Sequence, residues 1–384
     1  MSGKYPFLLS PGRVGDLELA NRMLMSPMTR FRVTETGIPT DLNIVYYGQR
    51  ASAGLIVTEG TYSEPRGRLT PRTAGLYSGD HIRAWRKVTD VVHQKQGRIF
   101  VQLCHGGRVS HPVLQPDGAL PVAPSAIAKT GQVRVTESEE EGVRKVDAPV
   151  PRALEPSEIP EIIAEFKRAA ERAVAAGFDG VELHAGSGLL HQQFLTTTAN
   201  RRTDRYGGTA RNRCRFVLET LEAMSEVRGS GRVGVKIAPN FAYNGTDMAT
   251  DDVVETYTIL AREMSRLDLG YVHVQYPPWG LFLGPKDFNP IDFIRPLYRG
   301  TLAGAGEFDR HTAEAMLAAG RCDLIAFGRR FIANPDLPER IRQDAEENGW
   351  DESTLYGPTP EGFIDYPTLD EVRERASHAA RSGS

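Results

Sequence analysis

Residues 157–185 read SEIPEIIAEFKRAAERAVAAGFDGVELHA, and this stretch decides the fold. Apolar side chains recur at helical spacing over 157–176. Pro156-Ser157 has the residue types of a helix start. Gly177 is a plausible helix end. The short apolar run 180–184 then has the length and character of a strand in a parallel sheet. One helix followed by one strand is therefore predicted here.

The same alternation of short β-branched runs and longer amphipathic stretches extends over the chain, which is typical of repeated βα units around a parallel sheet. Eight runs are predicted as strands: 22–28, 55–59, 99–103, 180–184, 233–238, 271–275, 301–305 and 323–327. The clearest predicted helices are 84–96, 157–176, 210–227, 250–267, 309–319 and 335–346. Eight such units predict an α/β fold, a (β/α)8 TIM barrel.

The segment before the first strand, FLLSPGRVGDLELANR at residues 7–22, is predicted to form an N-terminal hairpin. Pro11-Gly12 and Gly15-Asp16 supply turn residues, and we expect the hairpin to cover the bottom of the barrel.

Two inserted loops are also predicted. The first, about 104–155, contains the acidic run Glu139-Glu140-Glu141, which is typical of a solvated loop. The second, 276–300, carries Pro277-Pro278-Trp279-Gly280 and is expected to form a lid. We expect a single domain over 1–384, with a frayed tail after about 370.

Composition limits the possible partners. The chain has 384 residues, a net charge of -3, 40% hydrophobic and 25% charged residues, so it resembles an ordinary globular protein. The charge gives no reason to expect nucleic acid or an anionic membrane as a partner, and no run is apolar enough to span a bilayer. A small-molecule substrate, a cytoplasmic location and a monomer or homodimer are expected.

The three cysteines, Cys104, Cys214 and Cys322, are scattered without a CxxC pair. This spacing suggests neither a disulfide framework nor a metal site.

Glycines after the last two strands indicate a phosphate site. They occur as Gly304-Ala305-Gly306, followed by Glu307, and as Gly328-Arg329-Arg330. In TIM barrels these two loops often bind phosphate, and an arginine beside backbone N–H groups suits a dianion. A phosphorylated ligand is therefore predicted.

Several longer motifs are more specific, namely SPMTRFR, VTEG, VQLCHGGR, VELHAGSGLLHQQFL, NRRTDRYGGTARNRCRF, VGVKIAP, FGRRFIANPDL and GFIDYPT. In order and spacing they resemble the Old Yellow Enzyme family, and the resemblance covers roughly the whole chain. It implies an FMN-binding barrel that passes hydride from NADPH or NADH through the flavin to an activated alkene. FMN is thus the expected cofactor.

The resemblance also assigns flavin contacts. Thr29 resembles the hydroxyl that bonds the flavin C4 oxygen, Gln102 the amide at the pyrimidine edge, and Lys236 stands where relatives hold an arginine near flavin N1. The other cofactor-binding residues implied are Pro27, Met28, Gly60, Gly306, Glu307, Gly328, Arg329 and Tyr356.

The expected catalytic residues depart in part from the family pattern. His184 resembles the donor to the substrate oxygen that becomes negative as hydride arrives. Ser187 replaces the family's second donor, and Leu189 replaces the tyrosine that protonates the substrate carbon. The expected substitute acid is Tyr243, ahead of Tyr62 and Tyr276, which are placed in the substrate pocket.

Cys104 stands where many relatives hold a tryptophan, so a larger pocket and a bulky substrate in a specialised pathway are expected. Leu189 leaves two alternatives open, a flavin-dependent desaturase or a redox-neutral isomerase in the same barrel. A flavin-free, phosphate-binding aldolase or isomerase is the remote alternative, for which Lys236 is the one suggestive residue.

Overall fold

The computed structural model describes residues 4–136, 143–239, 243–276 and 288–382. Eight parallel strands each pair with the next one in chain order, and the eighth pairs with the first, which closes the barrel. In chain order they are β1 Met23–Met25, β2 Leu55–Val57, β3 Ile99–Cys104, β4 Gly180–Ala185, β5 Val233–Ile237, β6 Tyr271–Gln275, β7 Leu302–Ala305 and β8 Leu324–Phe327. Each predicted strand overlaps one of these, so the (β/α)8 TIM barrel is confirmed.

Each of the six predicted helices overlaps an α-helix of the structure, and the described residues contain five more. The bounds of these α-helices are Asp41–Gln49, Gly79–Gln94, Glu158–Ala175, Leu190–Leu195, Ala210–Arg228, Thr250–Arg266, Pro290–Ile294, Arg310–Ala318, Arg329–Ala333, Leu337–Arg342 and Leu369–Ser382. The helix Asp41–Gln49 was not among the clearest predictions because its buried face includes Asn43 and Gly48 beside two tyrosines. No helix of the described residues is long and apolar enough to cross a membrane.

The N-terminal hairpin pairs Gly12–Val14 with Leu17–Leu19 in antiparallel register around Gly15-Asp16. Its apolar side chains join inward-facing residues of six barrel strands in one buried cluster: Val14, Leu17, Leu19, Leu24, Leu55, Val57, Phe100, Tyr271, Ala303, Ala305, Leu324 and Ala326. The hairpin therefore covers the bottom of the barrel, as predicted.

The first insertion contains its own short pairings. Gln132–Val135 and Arg144–Asp147 form an antiparallel hairpin, and Val122–Ala123 pairs in parallel with Arg152–Ala153. The acidic run Glu139-Glu140-Glu141 and the predicted lid residues Pro277 to Gly280 lie outside the described residues.

The tail after 369 is helical where a frayed end was expected. Thr368 and Glu371 form reciprocal bonds at its start, because the Thr368 amide donates to Glu371 Oε2 at 2.7 Å and the Glu371 amide donates to Thr368 Oγ1 at 3.3 Å. Such a capping box satisfies N–H groups that a helix start leaves unpaired. The main apolar cluster runs from Tyr5 to Phe363, and we expect the chain to behave as one domain.

Three buried arginines attach the segment 354–363 to the barrel. Arg30 donates to the carbonyls of Leu355 and Gly362 at 2.6 and 2.7 Å. Arg32 donates to two further carbonyls of the segment. Arg50 donates to the carbonyl of Phe363 at 3.4 Å and to those of Phe331 and Ile332, both at 2.7 Å. These bonds cross more than 280 residues of chain and hold the segment beside the C-terminal ends of the strands.

Replacing Arg50 by methionine is expected to lower the free energy of unfolding by about 2–4 kcal/mol, because two buried carbonyls lose their donors. The measurement is urea unfolding followed by circular dichroism. Arg83→Met, on a side chain that is 73% exposed, is the control and should change little. Equal losses in the two variants would contradict the attachment role.

Candidate functional site

A cavity of about 890 Å³ opens at the C-terminal ends of the barrel strands. This is the end at which TIM barrels place their active sites. Thirteen residues singled out from the sequence line it: Pro27, Met28, Thr29, Gly60, Gln102, Cys104, His184, Ser187, Leu189, Lys236, Tyr243, Arg329 and Tyr356. The structure therefore brings most of the predicted site together.

Five predicted residues do not line the cavity: Tyr62, Tyr276, Gly306, Glu307 and Gly328. The Tyr62 hydroxyl donates to the carbonyl of Thr36 at 2.9 Å and is buried behind the cavity wall. Glu307 pairs with Arg329 at 2.6 Å, at the margin of the site. A phosphate bound by this guanidinium would have to displace the Glu307 carboxylate or share the guanidinium with it.

The floor of the cavity forms around Gly60. A Cβ atom added to Gly60 would lie 3.5 Å from both Gln102 Oε1 and Cys104 Sγ, and 3.9 Å from Thr29 Oγ1. No other atom occupies the position where a side chain would begin, because the nearest atoms lie at ordinary contact distances from it. Gly60 therefore leaves an open space bordered by a hydroxyl, an amide oxygen and a thiol. A flat ring with polar edges matches that space.

His184 faces the cavity as a neutral donor. Its Nδ1 accepts the backbone N–H of Gly186 at 3.2 Å, so in the neutral ring the proton resides on Nε2. Burial, and then the nearby charge of Lys236, lower the pKa of His184 to about 3. At neutral pH the imidazole therefore donates a hydrogen bond without carrying charge.

The backbone after His184 makes a tight left-handed turn. Ser187 and Gly188 have φ of 55° and 74°, and the carbonyl of Ser187 accepts from Asn244 Nδ2 at 2.9 Å. A Cβ on Gly188 would lie 2.5 Å from the carbonyl oxygen of Tyr243, so glycine is required there. This turn places Ser187 and Leu189 on the cavity wall beside His184.

One wall of the cavity is apolar. Leu189 and Cys104 are buried and pack with Tyr62 and Val109, and Leu69 lies against the same cluster. Burial raises the pKa of the Cys104 thiol, which keeps it protonated. Cys104 therefore acts as a small wall residue and lacks the thiolate that a nucleophile needs.

The opposite edge of the cavity is formed by aromatic and basic side chains. The Tyr356 ring lies 5.2 Å from Phe31, and the Arg134 guanidinium lies 5.6 Å from its centre. Arg134 belongs to the inserted hairpin, which also contributes Lys145 to the lining. The sequence analysis missed these hairpin cations because no local pattern places the insertion over the barrel.

A second group missed from sequence lies directly below the floor. Gln102 Nε2 donates to Glu182 Oε1 at 2.7 Å, and the other carboxylate oxygen accepts from the Tyr271 hydroxyl at 2.7 Å. His273 Nδ1 lies 3.0 Å from the same oxygen. One sequence signal was available for this group. Side chains alternate between the two faces of a strand, so Glu182 and its register partner Gln102 lie on the same face of neighbouring strands.

The described residues fit FMN. Gln275 lines the cavity and its Oε1 is buried without a partner, while Gln102 Oε1 faces the floor. Lys236 borders the same space, and burial lowers its pKa although the charge of Glu182 opposes that shift. No group of three or more potential metal ligands occurs within the described ranges.

Comparisons with known proteins agree with this site. Residues 7–348 match the model of the NADH:flavin oxidoreductase / NADH oxidase family. The chain is 37% identical over 373 residues to 12-oxophytodienoate reductase 1 of Oryza sativa subsp. japonica, covering 96% of this chain and 95% of the rice protein.

Two solved structures are also similar. Morphinone reductase in complex with tetrahydroNAD has 43% identity and a TM-score of 0.88, covering 96% of this chain and 99% of that one. The old yellow enzyme homologue from Zymomonas mobilis has 35% identity and a TM-score of 0.89, covering 95% and 100%.

Replacing Gly60 by leucine is expected to weaken FMN binding by about 10- to 100-fold, because the side chain fills the floor. Fluorescence titration of the apoprotein with FMN measures the change. Gly349→Leu, where an added Cβ meets nothing within 4 Å, is the matched control. Unchanged affinity in Gly60→Leu would exclude a ring on this floor.

The low pKa of His184 also predicts a pH dependence of stability. Between the ordinary pKa of 6.5 and the folded value of about 3, the unfolded imidazole binds a proton that the folded one does not. Stability is therefore lost as pH falls, by up to about 1.4 kcal/mol per pH unit from this group. Urea unfolding at pH 7, 6 and 5 should show a smaller loss for His184→Asn than for the wild type; parallel losses would contradict a neutral buried His184.

Proposed function

Because the chain belongs to the NADH:flavin oxidoreductase / NADH oxidase family, we propose that it reduces the activated C=C bond of a bulky enone- or enal-like molecule in a specialised pathway. It is an FMN-dependent NAD(P)H oxidoreductase of the Old Yellow Enzyme family. The 12-oxophytodienoate and morphinone reductases among its relatives support a bulky, ketone-bearing molecule as the substrate. We propose a monomer or homodimer as the working form.

When bound, FMN would supply the hydride-transfer chemistry between the nicotinamide and the substrate. In our proposal Thr29, Gln102 and Lys236 bind the ring edges, and Gly60, Pro27 and Met28 border the ring. Arg329 and the glycines at 306 and 328 would bind the phosphate, and Tyr356 would cover the mouth of the cavity. These roles combine hydrogen-bond donors and acceptors that a buried flavin requires.

The neutral, cavity-facing Nε2–H of His184 carries the functional proposal. A donor fixed in a partly dry site stabilises the negative charge that develops on the substrate oxygen as the alkene is reduced. Ser187 is the proposed second donor on the same turn. The pKa of His184, about 3, keeps the ring in the donor form throughout the working pH range.

The apolar wall determines the proposed substrate shape. Cys104 and Leu189 are smaller than the tryptophan and tyrosine that the family resemblance implies at these positions, and they contribute no acidic proton near neutral pH. The body of a bulky substrate would lie against this wall, with its oxygen at His184. The described residues leave the cavity at about 890 Å³, within the range of small-molecule sites.

The last part of the proposal concerns the acid that protonates the substrate carbon, because Leu189 stands where the family resemblance implies a tyrosine. Tyr243 lines the cavity, whereas the Tyr62 hydroxyl is committed to Thr36 and Tyr276 does not border the site. Tyr243 is therefore the proposed acid for the substrate carbon, placed on the loop that contacts the turn after His184.

Introducing tyrosine at position 189 tests this account. With photoreduced enzyme and 2-cyclohexenone, Leu189→Tyr should speed flavin reoxidation by about 10- to 100-fold, because it adds an acid to the cavity wall. Leu189→Phe controls for ring size without the hydroxyl and should gain nothing. If Leu189→Tyr also gains nothing, the proposed limitation by proton delivery is wrong.

The variant Tyr243→Phe tests whether Tyr243 is the source of the proton. We expect it to slow reoxidation of the wild type by at least about tenfold, and to have little effect in the Leu189→Tyr background. Equal slowing in both backgrounds would exclude Tyr243 as the acid. If no alkene in a panel of enones, enals and nitroalkenes reoxidises the flavin, the proposed reaction itself is wrong.

A further inference from the structure

We propose that Glu182 is the positioning residue of the flavin site: its carboxylate holds the Gln102 amide with Oε1 towards the cavity, so that Gln102 accepts a hydrogen bond from the pyrimidine N3–H of the cofactor. This inference rests on the proposed function, since it concerns the same site. It adds a residue that does not itself line the cavity.

Glu182 lies wholly inside the barrel, with no exposed surface. One carboxylate oxygen accepts from Gln102 Nε2 at 2.7 Å. The other accepts from the Tyr271 hydroxyl at 2.7 Å and lies 3.0 Å from His273 Nδ1. Both oxygens are thus bound by side chains of two other strands, β3, which pairs with β4, and β6, which is separated from β4 by β5.

The chemistry of the pair decides the orientation of the amide. An ionised carboxylate only accepts hydrogen bonds, so Gln102 must direct its NH₂ group downwards to Glu182. Its carbonyl oxygen then points to the floor, 3.5 Å from the Cβ position of Gly60. A reversed amide would set two acceptor oxygens against each other in a buried space, which is strongly unfavourable.

Glu182 is ionised at neutral pH despite its burial. Burial by itself raises the pKa of the carboxyl, but the interaction with His273, the charge of Lys236 and the bond from Tyr271 outweigh it, and the net shift is downward. Lys236 is the neighbour of His273 in the sheet register, on the β5 and β6 side of Glu182, while Gln102 donates to the carboxylate from β3 on the other side. The orientation of Gln102 is therefore fixed before any cofactor binds.

A purely structural role for Glu182 makes a different prediction. If the carboxylate only fills the barrel interior, its removal would lower stability and weaken all ligands alike. If it orients Gln102, its removal would change which hydrogen-bonding pattern the floor prefers. The ratio of two affinities separates these cases, because a general loss of stability cancels in the ratio.

The test compares FMN with an FMN analogue methylated at N3, which has no N–H to donate. The measured quantity is the ratio of the two Kd values, from flavin fluorescence titration of the apoproteins. Glu182→Gln keeps the size of the side chain but can donate as well as accept, so Gln102 is free to reverse. Tyr271→Phe is the matched control, since it removes a bond to the other carboxylate oxygen and leaves the Gln102 contact intact.

We expect the wild type and Tyr271→Phe to bind FMN more tightly than the methylated analogue. In Glu182→Gln, the ratio of the two Kd values should fall about tenfold towards equal binding. In a Gln102→Met background, Glu182→Gln should change the ratio by less than about twofold, because the two residues act as a pair. The absorption bands of bound FMN should also shift in Glu182→Gln, since they respond to hydrogen bonds at the pyrimidine edge.

An unchanged ratio in Glu182→Gln, or the same change in Tyr271→Phe, would overturn the inference while leaving the proposed function standing. Failure of the wild type to bind FMN would overturn both. If Glu182→Gln does not fold, Glu182→Asp carries the test, because the shorter acid withdraws from Gln102; a wild-type ratio in that variant would overturn the inference.

Discussion

An ionised carboxylate buried in the middle of the barrel is the constraint on which the rest of the site depends. Below Glu182 the interior is filled by apolar side chains and covered by the N-terminal hairpin. A charge in such surroundings is tolerated only when each of its oxygens is bound. Gln102, Tyr271 and His273 supply those partners, so the polar residues that approach the cavity floor are fixed from below.

The same electrostatics explains the protonation states above the floor. Lys236 and His184 are neighbours in the register of the fourth and fifth strands, and both are buried. Two adjacent cations would be unfavourable here, and the pKa of His184 falls accordingly, first through burial and then through Lys236. The outcome is one positive charge beside one neutral donor, an arrangement suited to a flavin edge and a substrate oxygen.

Local patterns were sufficient to predict the barrel and the hairpin, whereas His184, which lines the cavity, was singled out by the resemblance to the Old Yellow Enzyme family. Periodicity and turn residues act over a few positions, and Gly177 indeed adopts the left-handed conformation, with φ of 84°, that ends a helix. The Glu182 network and the Arg30 attachment could not be predicted in this way. They join strands or segments separated by 80 to more than 320 residues, and only the strand register brings them together.

The position of Tyr62 shows why a residue type near the site is not enough to predict a role. Thr61–Tyr62 pairs with the end of the third barrel strand beside Cys104. This pairing turns the ring behind Leu189, where it stacks on Tyr77 at 5.5 Å and its hydroxyl binds Thr36. Burial then raises the pKa of that hydroxyl, so it is a poor acid. The wall beside Leu189 is thus apolar through two layers, which is why the proposed proton donor is Tyr243, on the loop side of the cavity.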